Sequence, residues 1–386
     1  VTSSGPWAAR ARVLGIVVNP VAGMGGRVGL HGTDGQVELA RARGAEPVAP
    51  ARARRALARL HELAPDLDVV VAPGALGADH LPDATGWRVT VLDGPEPGAE
   101  TTADDTRAAV SALVAAGVDL LLFVGGDGTA RDVAGAVWAV CDDCVPVLGV
   151  PAGVKMHSAV FGLTPETAAL AASRHLAAPE RHGTRQAEVV DRDAAGDVRL
   201  YGTVQVPALP AGVQPAKGAP APLADDATAL AAEVAAELEP GRLYLLGPGA
   251  TVDQVGHALG LATTPLGVDA VCDGRLLAVD ADEATLLDLL ARHDRATLVL
   301  GVVGGQGFLL GRGNQQLSPA VLRALAAADP AGLAGILVLA TPAKVGALPE
   351  PVLHVDLDDP ELAAELAGYR RVRTAPGRST VLRVET

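Results

Sequence analysis

Short apolar runs, each followed within two residues by glycine or proline, recur along the N-terminal part of the chain. Residues 13–18, 120–124 and 145–150 carry no charged or amide side chain, the pattern of strands covered by helices on both faces of a parallel sheet. Residues 68–72 and 89–92 form two further strands, and Pro73 and Gly74 stop the first of them. Helical spacing covers 51–63, then 101–116 with Thr or Asp at its start and Gly117 just past its end, then roughly 129–140. This alternation of strands, glycine loops and helices predicts a doubly wound parallel sheet with its ligand at the carboxyl ends of the strands.

Thr164 and Pro165 open another helix, after which the texture changes. Residues 188–191 and 198–206 flank Ala194, Ala195 and Gly196 and predict a hairpin. Residues 207–222, rich in Pro, Ala and Gly, predict a mobile connection, and a helix follows over 223–238, closed by Pro240 and Gly241. From Leu243 the strand-then-glycine pattern returns, ending at Gly247 and Gly249 and again at Gly304, Gly305 and Gly307. Ser318 and Pro319 begin a helix, 335–340 is a strand, and small elements follow from Val355. The expected organisation is an N-terminal α/β lobe over 1–160 and a C-terminal α/β lobe over 161–345. Terminal elements over 346–386 are expected to pack back on the N-terminal lobe.

Composition narrows the picture. A chain of 386 residues suits two lobes, and 49% hydrophobic with only 2% aromatic residues means a core of Ala, Val and Leu. The net charge of −14, with no stacking aromatics among basic residues, excludes nucleic acid as the expected partner. The apolar runs are far shorter than a membrane span, and residues 1–12 hold no apolar segment of signal-peptide type, so no membrane partner and a cytoplasmic protein are expected. Cys141 and Cys144 have C-x-x-C spacing but supply only two metal ligands; together with Cys272 they predict no metal site, and the pair is expected as two reduced thiols near a helix end.

The candidate chemistry centres on residues 118–132, VDLLLFVGGDGTARD. A buried strand empties into Gly125, Gly126, Asp127, Gly128 and Thr129. Glycine amides can cradle phosphates, and Asp127 can accept a proton from an alcohol attacking a phosphoryl group; the alternative is a tight turn with Asp127 as a helix cap. Asn19, Pro20, Gly23, Gly25 and Gly26 follow the first strand in a second glycine junction, which is either part of a nucleotide pocket or a surface loop. It matches neither the Walker nor the dinucleotide fingerprint. Lys155, amid apolar neighbours past a strand end, calls for an anion, whereas His157 reads as a structural histidine. Arg131 is either a phosphate clamp or solvent-facing helix; Thr129 and Asp132 are either helix caps or Mg²⁺ holders through water. The segment GGQGF echoes GGDGT with Gln306 in place of Asp127; Gln306 hydrogen-bonds but takes no proton, which places catalysis at the first loop and ligand positioning at the second. Gly249, Thr251, Gln306, Asn314 and Gln315 are the substrate-side candidates.

GGDGT after an apolar strand, with NP-x-x-G at 19–23, resembles the ATP-NAD kinase family, whose wider group also includes the diacylglycerol and sphingosine lipid kinases and the phosphofructokinases. GVPAGVKMHSAVF at 149–161, GVVGGQGFLLGRGNQQLSP at 301–319 and ATPAK at 340–344 are similar to its AcoX-like branch, and the likeness covers nearly the whole chain. The resemblance implies two lobes with nucleotides bound between them, and transfer of the ATP γ-phosphate to the 2′-hydroxyl of NAD with Mg²⁺. It implies Asp127 as proton acceptor, Gly125, Gly126, Gly128 and Thr129 as phosphate contacts, and Asn19 with Gly23 in the nucleotide pocket. A homo-oligomer is expected. The Asn-Glu or Asn-Asp pair that main-branch NAD kinases carry after GGDGT is missing here. The alternatives are a GGDGT-type kinase for another small alcohol or a lipid, and a non-catalytic nucleotide-binding regulator.

Overall fold

The computed structural model describes residues 12–30, 36–83, 86–93, 101–141, 145–154, 156–192, 198–208, 225–303 and 305–386. Lys155, Cys144, Gly304, the hairpin turn at 194–196 and residues 209–224 of the Pro-rich connection and helix start lie outside them. The described residues of Val1–Ala22, Val48–Ala152 and His157–Gln214 form one compact unit, and those of Gly23–Pro47, Gly153–Met156 and Pro215–Thr386 form the other.

The first unit is built on five strands: β1 (Val13–Val18), β2 (Asp68–Val71), β3 (Arg88–Val91), β4 (Leu120–Gly125) and β5 (Val147–Pro151). All pair in parallel in the order β3-β2-β1-β4-β5. Chain order therefore reverses between β1 and β4, where Ile16 lies opposite Leu122. In such sheets the crevice beyond this reversal is where ligands bind. β4 and β5 are buried at every position, as their unbroken apolar sequences require.

The helix Ala49–Leu63 buries Ala53, Ala56, Leu57 and Leu60, spaced three and four apart, in one core with Leu14, Ile16, Leu122 and Leu148. Ala168, Ala169 and Ala172 of the helix Pro165–Ala177 join that core. Side-chain oxygens of Thr102 and Thr164 cap the helices Ala103–Ala115 and Pro165–Ala177, as the sequence predicts.

An antiparallel hairpin, β6 (Thr184–Arg192) and β7 (Val198–Pro207), completes this unit. The expectation that the C-terminal lobe begins at 161 is thus corrected. The hairpin packs on the helix Asp127–Val140, where Trp138 Nε1 donates to Thr203 O at 3.2 Å. A Cβ on Gly202, which has φ 153°, would lie 2.6 Å from the Trp138 ring, so the indole fills the space that glycine leaves.

The second unit carries a mixed sheet of nine strands. These are β8 (Leu243–Leu246), β9 (Asp269–Cys272), β10 (Arg275–Ala278), β11 (Ala296–Gly301), β12 (Phe308–Leu310), β13 (Leu337–Leu339), β14 (Val352–Val355), β15 (Gly368–Ala375) and β16 (Arg378–Glu385). Their order is β10-β9-β8-β11-β13-β15-β16-β14-β12. β15 pairs in parallel with β13 and antiparallel with β16, which pairs with β14. Residues 346–386, expected over the N-terminal lobe, instead give β14, β15 and β16 to this sheet, whose ladder satisfies their backbone groups, with the helix Pro360–Leu366 between β14 and β15. Gly23–Pro47 also belongs to this unit, whereas Asn19 belongs to the first. Cys141 is disulfide-bonded, which overturns its expected reduced state, and Cys272 is a free thiol that burial pushes above its usual range.

Candidate active site

The chain leaves β1 at Asn19 and β4 at Gly125, the two strand ends that border the reversal in the sheet. Asn19 N donates to Val124 O at 2.9 Å, and Asn19 Nδ2 donates to Thr129 Oγ1 at 2.9 Å. One residue thereby joins both strand ends to the helix that follows. That helix begins at Asp127, two residues before the expected Thr129, with Gly126 as N-cap in extended geometry, φ −115° and ψ −164°. A Cβ on Gly125 would lie 2.4 Å from the Thr129 side chain, so only glycine lets this first turn close over the strand end. Gly126 offers no side-chain oxygen to the first-turn amides. An uncapped helix N-terminus at a strand's carboxyl end presents N–H groups and the positive end of the helix dipole to an anion.

Asp127 is only 6% exposed, and its carboxylate is held on both oxygens. Oδ1 accepts from Ser158 N at 3.0 Å, Oδ2 accepts from His157 N at 2.7 Å, and His157 Nδ1 lies 3.1 Å from Oδ2. Asp127 therefore does not cap its own helix. It clasps the segment that follows β5. The hairpin holds the same segment from the other side: Ser158 Oγ donates to Val190 O at 2.8 Å and accepts from Val190 N at 3.0 Å, while Ala159 N donates to Glu188 O at 3.0 Å. His157 and Ser158 are thus parts of the site that sequence reasoning left aside; their signal was a polar pair placed directly after a strand-end loop.

The remaining charges of this helix are engaged elsewhere. Arg131 pairs with Asp191 at 2.7 Å and lies 5.5 Å from the centre of the Tyr201 ring, so it fastens the hairpin. Asp132 accepts from Arg107 at 2.5 Å. Among the described residues no group of three or more His, Cys, Asp or Glu side chains is placed to hold a metal ion.

In the second unit the candidate amides fasten loops. Gly305 and Gly307 have φ of 76° and 75°, and the chain then enters β12, not a helix, so GGQGF echoes GGDGT in sequence but not in structure. Gln306, 4% exposed, donates to Met156 O at 3.4 Å. Asn314 accepts from Gly311 N at 2.9 Å and donates to Leu309 O at 2.7 Å. Gln315 donates to Val154 O at 2.9 Å. Gly249, φ 122°, is the N-cap of the helix Ala250–Ala258, in which Thr251 is buried. The buried pair Arg312 and Asp356, 3.3 Å apart, was not foreseen; Arg312 also lies 4.8 Å from the centre of the Phe308 ring. Asn19, the GGDGT residues and Asp127 thus come together in the first unit, while Gly23, Gly249, Thr251, Gln306 and Asn314 belong to the second.

A reversed parallel sheet with an open helix N-terminus and a buried carboxylate at the reversal defines a protein built to handle phosphate groups. Residues 14–180 match the ATP-NAD kinase N-terminal domain and residues 240–384 match the ATP-NAD kinase C-terminal domain. The chain belongs to the ATP-NAD kinase family, and it is a phosphotransferase with an alcohol acceptor and ATP as the family's phosphate donor. Searches of curated proteins and of solved structures each returned no significant match. Among the described residues no helix is long and apolar enough to cross a membrane.

Proposed function

We propose that the protein transfers the γ-phosphate of ATP to the 2′-hydroxyl of NAD, giving NADP, and that it represents the AcoX-like branch of its family. The observation that carries this reading is the buried Asp127 carboxylate beside the open N-terminus of the helix Asp127–Val140. The amides of that turn, with Asn19 bracing Thr129, suit the binding of nucleotide phosphates. Asp127 supplies the fixed negative charge that favours withdrawal of the hydroxyl proton as oxygen attacks phosphorus. Gln306, Asn314, Gly249 and Thr251 are assigned to the acceptor side, where polar loops suit a polar, extended ligand. Lys155 is assigned to phosphate.

In this reading Mg²⁺ would come bound to the donor, and Asp132 of the same helix pairs with Arg107. On ATP the cation neutralises phosphate charge, and it needs few protein ligands. The missing Asn-Glu or Asn-Asp pair favours a second reading, a different polar alcohol as acceptor. The acidic chain speaks against a lipid surface. Incubation of pure protein with ATP, Mg²⁺ and NAD, NADH, diacylglycerol or small polyols, with products weighed by mass spectrometry, separates these. Phosphate found only on a lipid or polyol removes the NAD assignment.

A further inference from the structure

We infer that Ser158 and Arg131 are positioning residues for the Asp127 carboxylate, joined through β6 in a closed circuit of contacts that leaves the helix Asp127–Val140 and returns to it one turn later. This rests on the kinase reading above, with Asp127 as proton acceptor. Ser158 N donates to Asp127 Oδ1 at 3.0 Å. The Ser158 hydroxyl, in a fully buried residue, donates to Val190 O at 2.8 Å and accepts from Val190 N at 3.0 Å, as a paired strand residue would with its backbone. Asp191, the next residue of β6, accepts from Arg131 at 2.7 Å. Asp127 and Arg131 are four residues apart and so share one face of the helix. The circuit closes there.

The hairpin is shaped for this grip. Ala159 N donates to Glu188 O at 3.0 Å, and Glu188 and Val190, two apart, hold consecutive residues of the segment along one edge of β6. The ladder between β6 and β7 shifts register between Val189 and Val190, where Tyr201 of β7 is the extra residue. Such a bulge re-aims a side chain, and here the Tyr201 ring centre lies 5.5 Å from the Arg131 guanidinium carbon. The irregularity thus falls where the hairpin takes hold of both Ser158 and Arg131. Gly126 gives the helix no side-chain cap, so contacts from outside the helix are what fix its first residue. A proton acceptor displaced by about 1 Å loses up to about 10²-fold in rate, which makes the circuit matter to turnover as well as to folding.

The test measures kcat and KM for ATP in Ser158→Ala, Arg131→Gln, Arg131→Lys and the double variant of Ser158→Ala with Arg131→Gln, using whichever alcohol the parental protein phosphorylates. Melting curves show which variants are folded. Ser158→Ala is expected to lose about 10²-fold in kcat and Arg131→Gln about 10-fold, with KM for ATP nearly unchanged in both. Arg131→Lys keeps the charge that Asp191 accepts and is expected to stay near the parent. The double variant should lose no more than Ser158→Ala alone, because a circuit already open is not opened again. Parental kcat in folded Ser158→Ala, or losses that multiply in the double variant, overturns the inference. So does a raised KM for ATP at parental kcat in Arg131→Gln, which would make Arg131 a phosphate contact. Should Ser158→Ala fail to fold, equal kcat in Arg131→Gln and Arg131→Lys overturns it. A parent that phosphorylates a polyol but not NAD removes the acceptor assignment without touching the circuit. A parent that phosphorylates no alcohol overturns both.

Discussion

Asn19 at the end of β1 donates its side-chain N–H to Thr129 Oγ1 at 2.9 Å, which ties the first strand to the first turn of the helix after β4. The strands that border the reversal in the sheet are thus joined through side chains as well as through their ladder. The geometry of the open helix N-terminus depends on that brace.

Asn19→Ala is expected to cost about 0.5–1.5 kcal/mol of stability, the net worth of one such hydrogen bond. KM for ATP should rise more than KM for the acceptor, because the first-turn amides lose their fixed position. Calorimetric titration with ATP checks this; unchanged affinity in a folded variant would show that the brace is idle.

Asn314 fastens its own loop on both sides, at Gly311 N and Leu309 O, and is 3% exposed. Asn314→Ala leaves both backbone groups without their partner and is expected to cost about 1–3 kcal/mol. Urea denaturation reads that loss. A raised KM for the acceptor is expected beside that loss, from the place of Asn314 on the acceptor side; unaltered stability would contradict its role in fastening the loop.

Stability is expected to fall as pH drops below the ordinary histidine value. Burial is the largest influence on His80, His175 and His354 and pushes each below its usual 6.5. In the unfolded chain these rings bind protons as pH falls through 6.5, whereas in the folded chain they resist, so the folded state loses ground from there downward. Asp329, held below its ordinary 3.8 first by the Ala331 amide and also by Arg242, adds its loss only at lower pH. Melting temperatures measured from about pH 7 to about pH 5 should decline. A level or rising Tm over that window would contradict the assignment of these rings as neutral.

The first sheet was legible because β1, β4 and β5 are apolar throughout, and β4 and β5 end in a glycine and a proline while Asn19 and Pro20 follow β1. Asp127 stood out for a similar reason, as the carboxylate inside a glycine turn. Its partners were not legible, since His157 and Ser158 lie thirty and thirty-one residues away and meet it only because β5 pairs beside β4. The terminal elements misled for the converse reason. β14, β15 and β16 carry exposed apolar residues such as Val381 and Tyr369, and only the pairing of β15 with β13 shows which sheet they join. Three matching glycines in GGDGT and GGQGF concealed a helix start in one case and a strand start in the other.

The central claim is that a phosphoryl transfer centred on Asp127 converts NAD to NADP. The most direct measurement is the rate of NADP formation from ATP, Mg²⁺ and NAD, read enzymatically for the parental protein and for folded Asp127→Asn side by side. The account predicts NADP from the parent and a rate lower by about 10²–10⁴ in the variant, which keeps its ATP affinity. Equal rates in the two proteins, or ATP consumption and phosphorylation of another alcohol without any NADP, would contradict it.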